Sequence, residues 1–177
     1  MLKIILIILG VIALAVIALV AFASTKPDSF IIQRSTTINA PPEKVYALIQ
    51  DFHQWGQWSP FEKLDPDMTR TFGDPAAGLG GTYAWDGKKA GAGSMRIKEA
   101  EPGRRVAIAL DFTKPFPASN TATFDLVPEG AGTKVTWAMT GKSPLMFKVM
   151  DTVMGMDKTL GRDFEKGLND LRAAAEK

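Results

Sequence analysis

The sequence predicts an α+β fold in which an antiparallel sheet is covered on one side by a long C-terminal helix. Apolar and polar residues alternate through much of residues 68–140, and an apolar stripe recurs every three or four positions near the C terminus. A further helix is expected at the start, because the first 23 residues are apolar except for Lys3 and Gly10. The 177-residue chain is long enough for a single domain with a proper core.

The N-terminal segment has the length and composition of a membrane span. Residues 4–23 carry no charge, and a helix of this length crosses a hydrocarbon core. We expect residues 1–23 to be a transmembrane anchor, residues 24–29 a linker and residues 30–177 the folded domain. The alternative is a secretory signal cleaved near Ala23, which would release a secreted domain. The positive N-terminal flank favours a single-pass protein of a bacterial-type cytoplasmic membrane, with its domain on the extracytoplasmic side.

A strand and two short helices are predicted to open the domain. Residues 30–38 are rich in β-branched side chains, which is typical of a strand. Asn39 is a candidate N-cap for a helix that begins at Pro41 and Pro42. Residues 51–55 predict the second short helix.

Six more strands are predicted, which brings the sheet to about seven. They cover residues 68–72, 82–86, 93–101, 105–113, 121–127 and 133–140. Their alternation indicates an antiparallel sheet that is wet on one face and covered on the other. The cover is a helical tail that starts after the candidate cap Ser143. Its apolar stripe runs over residues 145–171, and Gly155 and Gly161 are candidate breaks.

The composition excludes several classes of site. The chain has no Cys and one His, so disulfides, Cys-ligated metals, thiol nucleophiles and multi-histidine metal sites are ruled out. Its basic and acidic residues are nearly balanced and well mixed, without the basic face that nucleic-acid binding needs. We therefore expect no metal, no cofactor and no nucleic-acid partner.

The start of the domain resembles a known superfamily. Residues 40–46 read APPEKVY, and residues 52–60 read FHQWGQWSP. They are similar to the A-P-x-E-x-V-[FWY] helix start and the F-x-x-W-x-x-W-S-P segment of START-like (SRPBCC) proteins, which include the polyketide cyclases. Residues 133–137 and 164–171 also resemble the family's penultimate strand and closing helix. The resemblance extends over about residues 30–175.

The resemblance implies a helix-grip fold, in which a curved antiparallel sheet wraps around the long C-terminal helix and encloses an apolar cavity. Members bind lipids, sterols, polyketides or plant hormones, and some catalyse cyclisation or dehydration. The matched motifs are mostly structural in the family. They carry no shared catalytic set that could be transferred to this chain.

Large aromatic and methionine side chains are the candidate ligand-binding residues. Flat rings and flexible thioethers suit a cavity that adapts to varied apolar guests, although a filled core is nearly as good an interpretation. The candidates are Trp58, Phe61, Tyr83, Trp85, Met95, Phe112, Phe124, Trp137, Met139, Met150 and Met154.

Catalytic chemistry has one candidate, Glu62. Glu62 could act as an acid or base if it were buried near the cavity, but together with Asp65 and Asp67 it fits a solvated loop better. His53, the only imidazole, fits a surface or helix-packing role. The leading hypothesis is a membrane-tethered protein that binds a hydrophobic small molecule or lipid, with residues 4–23 in the membrane. The alternatives are a polyketide cyclase/dehydrase-like enzyme that uses a cavity carboxylate, and a protein interaction module at the membrane.

Overall fold

The computed structural model describes all of residues 1–177. A short 3-10 helix, Phe52–Gln54, lies between α2 and α3. The α-helices are α1 (Leu2–Ser24), α2 (Pro42–Gln50), α3 (Trp55–Trp58), α4 (Pro60–Leu64), α5 (Leu145–Met154) and α6 (Met156–Ala175). The strands are β1 (Ser29–Ile38), β2 (Thr69–Phe72), β3 (Thr82–Gly87), β4 (Gly91–Glu101), β5 (Arg105–Lys114), β6 (Ala118–Glu129) and β7 (Gly132–Lys142).

The seven strands form one antiparallel sheet in the order β1-β7-β6-β5-β4-β3-β2. Each strand from β2 to β7 pairs with its neighbour in the chain, and β1 closes the far edge against β7. The β4–β5 pairing has two register shifts, at Ala92/Gly93 and Ile97/Glu99, and each bulge bends its strand because it adds one residue there. The α+β class, the antiparallel sheet and the helix-grip arrangement predicted from the sequence are confirmed.

The predicted alternation places the core on one face of the sheet. Val106 and Ile108 of β5, Phe124 of β6, and Val135 and Trp137 of β7 are all buried. Helix α6 lies along β1 and also contacts β7, α2 and α3, so it covers this inner face. Within α6 the inward stripe is Phe164, Leu168 and Leu171, all fully buried.

Two predicted helix caps are wrong. Neither Asn39 nor Ser143 caps a helix, because the proline after each of them, Pro41 or Pro144, occupies the N-cap position. The backbone N–H of Asn39 instead donates to the Glu176 carboxylate. The backbone N–H of the buried residue Ser143 donates to the Asp28 carbonyl. Both residues therefore join chain segments that are far apart in sequence.

The helical tail breaks at Gly155, one of its two candidate breaks, and continues through the other, Gly161. Gly155 adopts a left-handed conformation with φ 65° and separates α5 from α6. Because of this turn, the apolar side chains of α6 face the core, whereas most of those of α5 face away from it. Met156 and Leu160 pack against the core, whereas Leu145 and Val153 of α5 are exposed.

Helix α1 is long and apolar enough to cross a membrane. Its mean hydropathy reaches 3.4, and the apolar stretch is not buried against the rest of the protein. Only its C-terminal end meets the folded part, where α1 packs against α5 and Ala23 is buried. One such helix is compatible with a membrane anchor or with a signal sequence.

Candidate functional site

One half of the sheet's inner face is filled by stacked rings. Trp137 of β7 stacks on Phe164 of α6 with 4.1 Å between ring centroids, and on Phe124 of β6 at 5.0 Å. Trp58 of α3 meets Phe124 and Trp137 edge to face at 5.8 and 5.7 Å. Gly167 makes room for this stack, since a Cβ there would lie 2.7 Å from the Trp137 ring.

Two buried polar atoms in or next to this aromatic cluster have no hydrogen-bond partner. Neither the Trp137 Nε1–H nor the Ser59 hydroxyl has a hydrogen-bond partner in the protein, although both are buried. Trp58, by contrast, donates its indole N–H to the Leu48 carbonyl at 2.9 Å. Because buried donors are nearly always satisfied, the Trp137 N–H is an exception within this core.

The other half of the inner face is only partly covered. Phe61, Trp85, Leu110 and Phe112 are half-buried. Trp85 meets Phe112 edge to face at 5.6 Å and donates its indole N–H to the Ala90 carbonyl at 3.2 Å. The Trp85 ring lies across Gly93, where a Cβ would come within 2.6 Å of it. These side chains form a half-exposed apolar surface.

The structure brings together most of the predicted ligand-binding residues, but not the two methionines of α5. Tyr83, Met95 and Met139 are buried in the same core as the ring stack. Met150 is half-buried on α5, and Met154 is 60% exposed there. Neither packs against the core.

Three residues of this region were not selected from the sequence. Leu110 has the right alternation, and Met156 and Leu160 belong to the apolar stripe, so each carried a usable signal. All three are half-buried against the core.

Glu62 lies in a network rather than in a solvated loop, and its side chain is only 9% exposed. It accepts a hydrogen bond from the Tyr83 hydroxyl at 2.6 Å and one from Arg70 Nε at 2.7 Å. Arg70 also donates to the backbone carbonyls of Glu62 and Met68, which fixes its position. Burial, followed by the hydrogen bond to Glu62, raises the pKa of Tyr83 far above its usual 10.0. At neutral pH the Tyr83 hydroxyl is therefore protonated and donates to Glu62.

The other polar candidates have structural partners. Asp65 is buried, contrary to the solvated loop expected for it, because the backbone amide of Lys89 donates to its carboxylate at 2.7 Å. That hydrogen bond lowers the pKa of Asp65. His53 is exposed, accepts or donates a hydrogen bond with Asp51 at 3.0 Å, and stacks on Phe72. No group of three or more His, Cys, Asp or Glu side chains is arranged to hold a metal ion.

Two hollows lie outside the aromatic region at the end of the sheet from which the linker leaves. One, of about 660 Å³, is an open depression on the outer face of the sheet, bordered by Ile31, Ala109 and Thr140. The other, of about 170 Å³, lies where the linker meets β1 and α5, between Phe30, Phe147 and Met156. Neither is lined by any of the eleven predicted ligand-binding residues.

Solved structures share this architecture. Protein CV1439 from Chromobacterium violaceum is 22% identical, with a TM-score of 0.62 over 86% of this chain and 99% of that one. Mll3558 from Rhizobium loti is 18% identical, with a TM-score of 0.62 over 82% and 96%. DynU16, a protein in the dynemicin biosynthetic locus, is 14% identical with a TM-score of 0.60, and the match covers 86% of this chain and 48% of DynU16. At these identities the likeness concerns the fold alone.

The family of the chain follows from its amino-acid sequence. No curated protein matches it at a significant level. Residues 29–176, which run from the first residue of β1 to just past the end of α6, match the family described as polyketide cyclase / dehydrase and lipid transport. The match covers the whole sheet and the helices packed on it, and it leaves out only Met1, α1, residues 25–28 and Lys177. The chain therefore belongs to the polyketide cyclase / dehydrase and lipid transport family.

Proposed function

We propose that this protein is tethered to a membrane by α1 and binds a hydrophobic small molecule or lipid between the sheet and α6. The observation that carries the proposal is the inner face itself. Its open half carries the half-buried apolar side chains Trp85, Leu110 and Phe112, and its filled half carries one buried indole N–H, that of Trp137, which has no acceptor in the protein. Such a surface suits a guest with an apolar body and a single hydrogen-bond acceptor.

The driving force would be the removal of apolar surface from water. Burial contributes roughly 25 cal/mol for each Å² of apolar surface. A hydrogen bond from Trp137 would orient the guest, because its N–H is otherwise buried at a cost. The family's description includes lipid transport, which supports a guest of this chemistry.

A guest would enter from the end of the sheet that carries α1. Phe112 pairs with Ala118 next to the β5–β6 turn, at the same end as Ser29, the first residue of β1. The α5–α6 junction at Gly155 is a natural hinge at that end, since its left-handed backbone ends one helix and begins the next. With this end of the sheet facing the membrane, the tethered protein would take its guest from the adjacent bilayer.

The experiment uses the full chain, purified from membranes in a mild non-ionic detergent. Native mass spectrometry gives the bound mass, and solvent extraction identifies the molecule. Leu110→Trp fills the inner face, and the matched control Ala109→Trp adds the same ring to the neighbouring residue of β5, on the outer face.

The proposal predicts a co-purifying hydrophobic molecule in the wild type and in Ala109→Trp, and its loss in Leu110→Trp. Empty protein in all three cases would overturn the proposal. Equal loading of both variants would exclude the inner face. Loss in Ala109→Trp alone would move the site to the outer hollow.

A further inference from the structure

Helix α5 is amphipathic with its apolar side facing outward. Leu145, Met146, Val153 and Met154 are 48–68% exposed, and Val149 and Met150 are half-buried. At 3.6 residues per turn these six positions fall on one side of the helix. A helix on the surface of a domain normally turns this side toward the core.

The opposite side of α5 faces the protein and carries the charges. Lys148 is buried, and its Nζ donates to the Asp28 carboxylate at 2.6 Å. Asp151 accepts from Lys26 Nζ at 2.7 Å, and Phe147 stacks on Phe30 of β1 at 4.8 Å. These contacts fix the rotation of α5 about its own axis, so the apolar side cannot turn inward without breaking two ion pairs.

The same contacts hold α5 next to α1. Lys26 and Asp28 both belong to the linker, residues 25–28, which follows α1 directly. Even fully extended, the chain from Ser24 to Ser29 would reach only about 17 Å. Helix α1 also packs directly against α5. The exposed apolar side chains of α5 therefore belong to a helix that lies beside the apolar helix α1.

A second exposed apolar group lies at this end of the sheet. The β5–β6 turn, residues 115–117, carries Phe116, which is 66% exposed. Because Phe112 pairs with Ala118, this turn projects beyond the same sheet end from which the linker leaves. Phe116 would thus approach a membrane that α1 crosses.

We propose that α5 is an interfacial helix, whose outward side chains Leu145, Met146, Val149, Met150, Val153 and Met154 lie in the lipid headgroup–acyl boundary beside α1. The proposal rests on the tether in the proposed function. It adds that the domain is held against the bilayer in one orientation rather than swinging on its linker. Interfacial helices insert their apolar side to a depth of about 5–10 Å. That depth would bring the α5–α6 hinge and the half-open apolar face down to the membrane surface.

The test places single cysteines in the full chain, which has no native Cys. Each variant is labelled with an environment-sensitive fluorophore and reconstituted in vesicles of phosphatidylethanolamine and phosphatidylglycerol. Some vesicles contain lipids with a nitroxide near the top of the acyl chain. Met154→Cys and Val153→Cys report on α5, and Ala131→Cys, in the exposed β6–β7 turn, is the control at the far end of the sheet. Leu9→Cys reports on α1.

For both α5 labels we expect blue-shifted emission, quenching by the nitroxide lipid and protection from aqueous iodide. The Ala131→Cys label should show unshifted emission, no quenching by the nitroxide lipid and quenching by aqueous iodide. If the Leu9→Cys label is in lipid but both α5 labels behave like Ala131→Cys, the interfacial helix is refuted while the tether stands. If the Leu9→Cys label is also in water, the tether itself fails and the inference with it. Guest loading, measured by mass spectrometry, is read independently of all four labels.

Discussion

Trp137 and Phe164 stack nearly parallel, with 7° between the ring planes and 4.1 Å between the centroids. This contact joins the central part of β7 to the middle of α6. It depends on the absence of a side chain at Gly167, one turn after Phe164, since a Cβ there would meet the Trp137 ring at 2.7 Å and Pro60 at 2.9 Å. The close packing of α6 on β7 at this point therefore depends on Gly167.

The first prediction concerns that glycine. Gly167→Ala should lower the free energy of unfolding by about 1–3 kcal/mol, because overpacking outweighs the gain in helix propensity. The matched control is Gly56→Ala in α3, where nothing lies within 4 Å of the new Cβ and the change should be neutral or slightly stabilising. Thermal unfolding in detergent, followed by near-UV circular dichroism, measures both. Equal stability of the two variants would contradict the tight approach of Gly167 to Trp137.

The second prediction concerns the network around Glu62. Glu62→Gln should destabilise the fold by about 1–3 kcal/mol, because a buried acceptor of two hydrogen bonds loses its charge opposite Arg70. Tyr83→Phe removes one of the two donors. The double variant should show a coupling energy of about 0.5–3 kcal/mol, since the two groups share a hydrogen bond. Denaturant unfolding of the four proteins measures it.

Strict additivity of the two changes would mean that the charge of Glu62 adds nothing to its hydrogen bond with Tyr83, because Gln still offers an acceptor oxygen. Arg70→Lys offers a further comparison. It keeps the charge but loses the fork of donors that reaches the Glu62 carboxylate and the carbonyls of Glu62 and Met68. We expect it to resemble Glu62→Gln more than the wild type.

The sheet could be predicted well because the alternation of apolar and polar residues that marks each strand is a local pattern. Alternation in β5, β6 and β7 alone decides which side chains are covered, and Phe124 and Trp137 are buried as it requires. The filling of the inner face was not predictable in the same way. It depends on contacts such as that between Gly167 and Trp137, which are thirty positions apart and have no local signature.

The errors have physical causes of the same kind. Asp65 looks like a turn residue, yet it is buried because the amide of Lys89 in another hairpin satisfies its carboxylate. The break at Gly155 was predicted, but not that its left-handed turn directs Val153 outward and Met156 inward. Each outcome is set by a partner or a backbone angle outside the local pattern.

The third prediction concerns the two tyrosines of the chain. Burial raises the pKa of both Tyr46 and Tyr83 above the usual 10.0, and the hydrogen bond to Glu62 adds to the effect at Tyr83. A raised pKa stabilises the fold below pH 10.0, and that stability is lost as the pH rises toward the folded-state pKa. Absorbance at the tyrosinate band should therefore show neither residue half-ionised at pH 10.0 in the native protein.

In denaturant both tyrosines should titrate near 10.0, which provides the reference. Tyr83→Phe should remove the later of the two native transitions, and Tyr46→Phe the earlier. A native midpoint at 10.0 that disappears in Tyr83→Phe would contradict the burial of this hydroxyl against Glu62.

The fourth prediction concerns the attachment of the linker to α5. The hydrogen bond from Lys26 lowers the pKa of Asp151 below its usual 3.8, and that from Lys148 lowers the pKa of Asp28 in the same way. Carboxylates with lowered pKa values stabilise the fold above pH 3.8, and this contribution is lost as the pH falls through their folded-state values. The linker should therefore detach from α5 below pH 3.8 and stay attached at neutral pH.

A spin label at Thr25→Cys, an exposed linker position, measures this attachment. Its mobility should be low at pH 7 and rise below pH 3.8, while the tryptophan emission of the same sample reports whether the core stays folded. Asp151→Asn should raise the mobility already at pH 7, because it removes the acceptor of Lys26. Asp67→Asn, which removes an exposed charge outside these ion pairs, is the matched control and should leave the mobility unchanged. A label that is mobile at pH 7 in the wild type would show that the two ion pairs do not hold the linker. The fixed rotation of α5 would then lose its support.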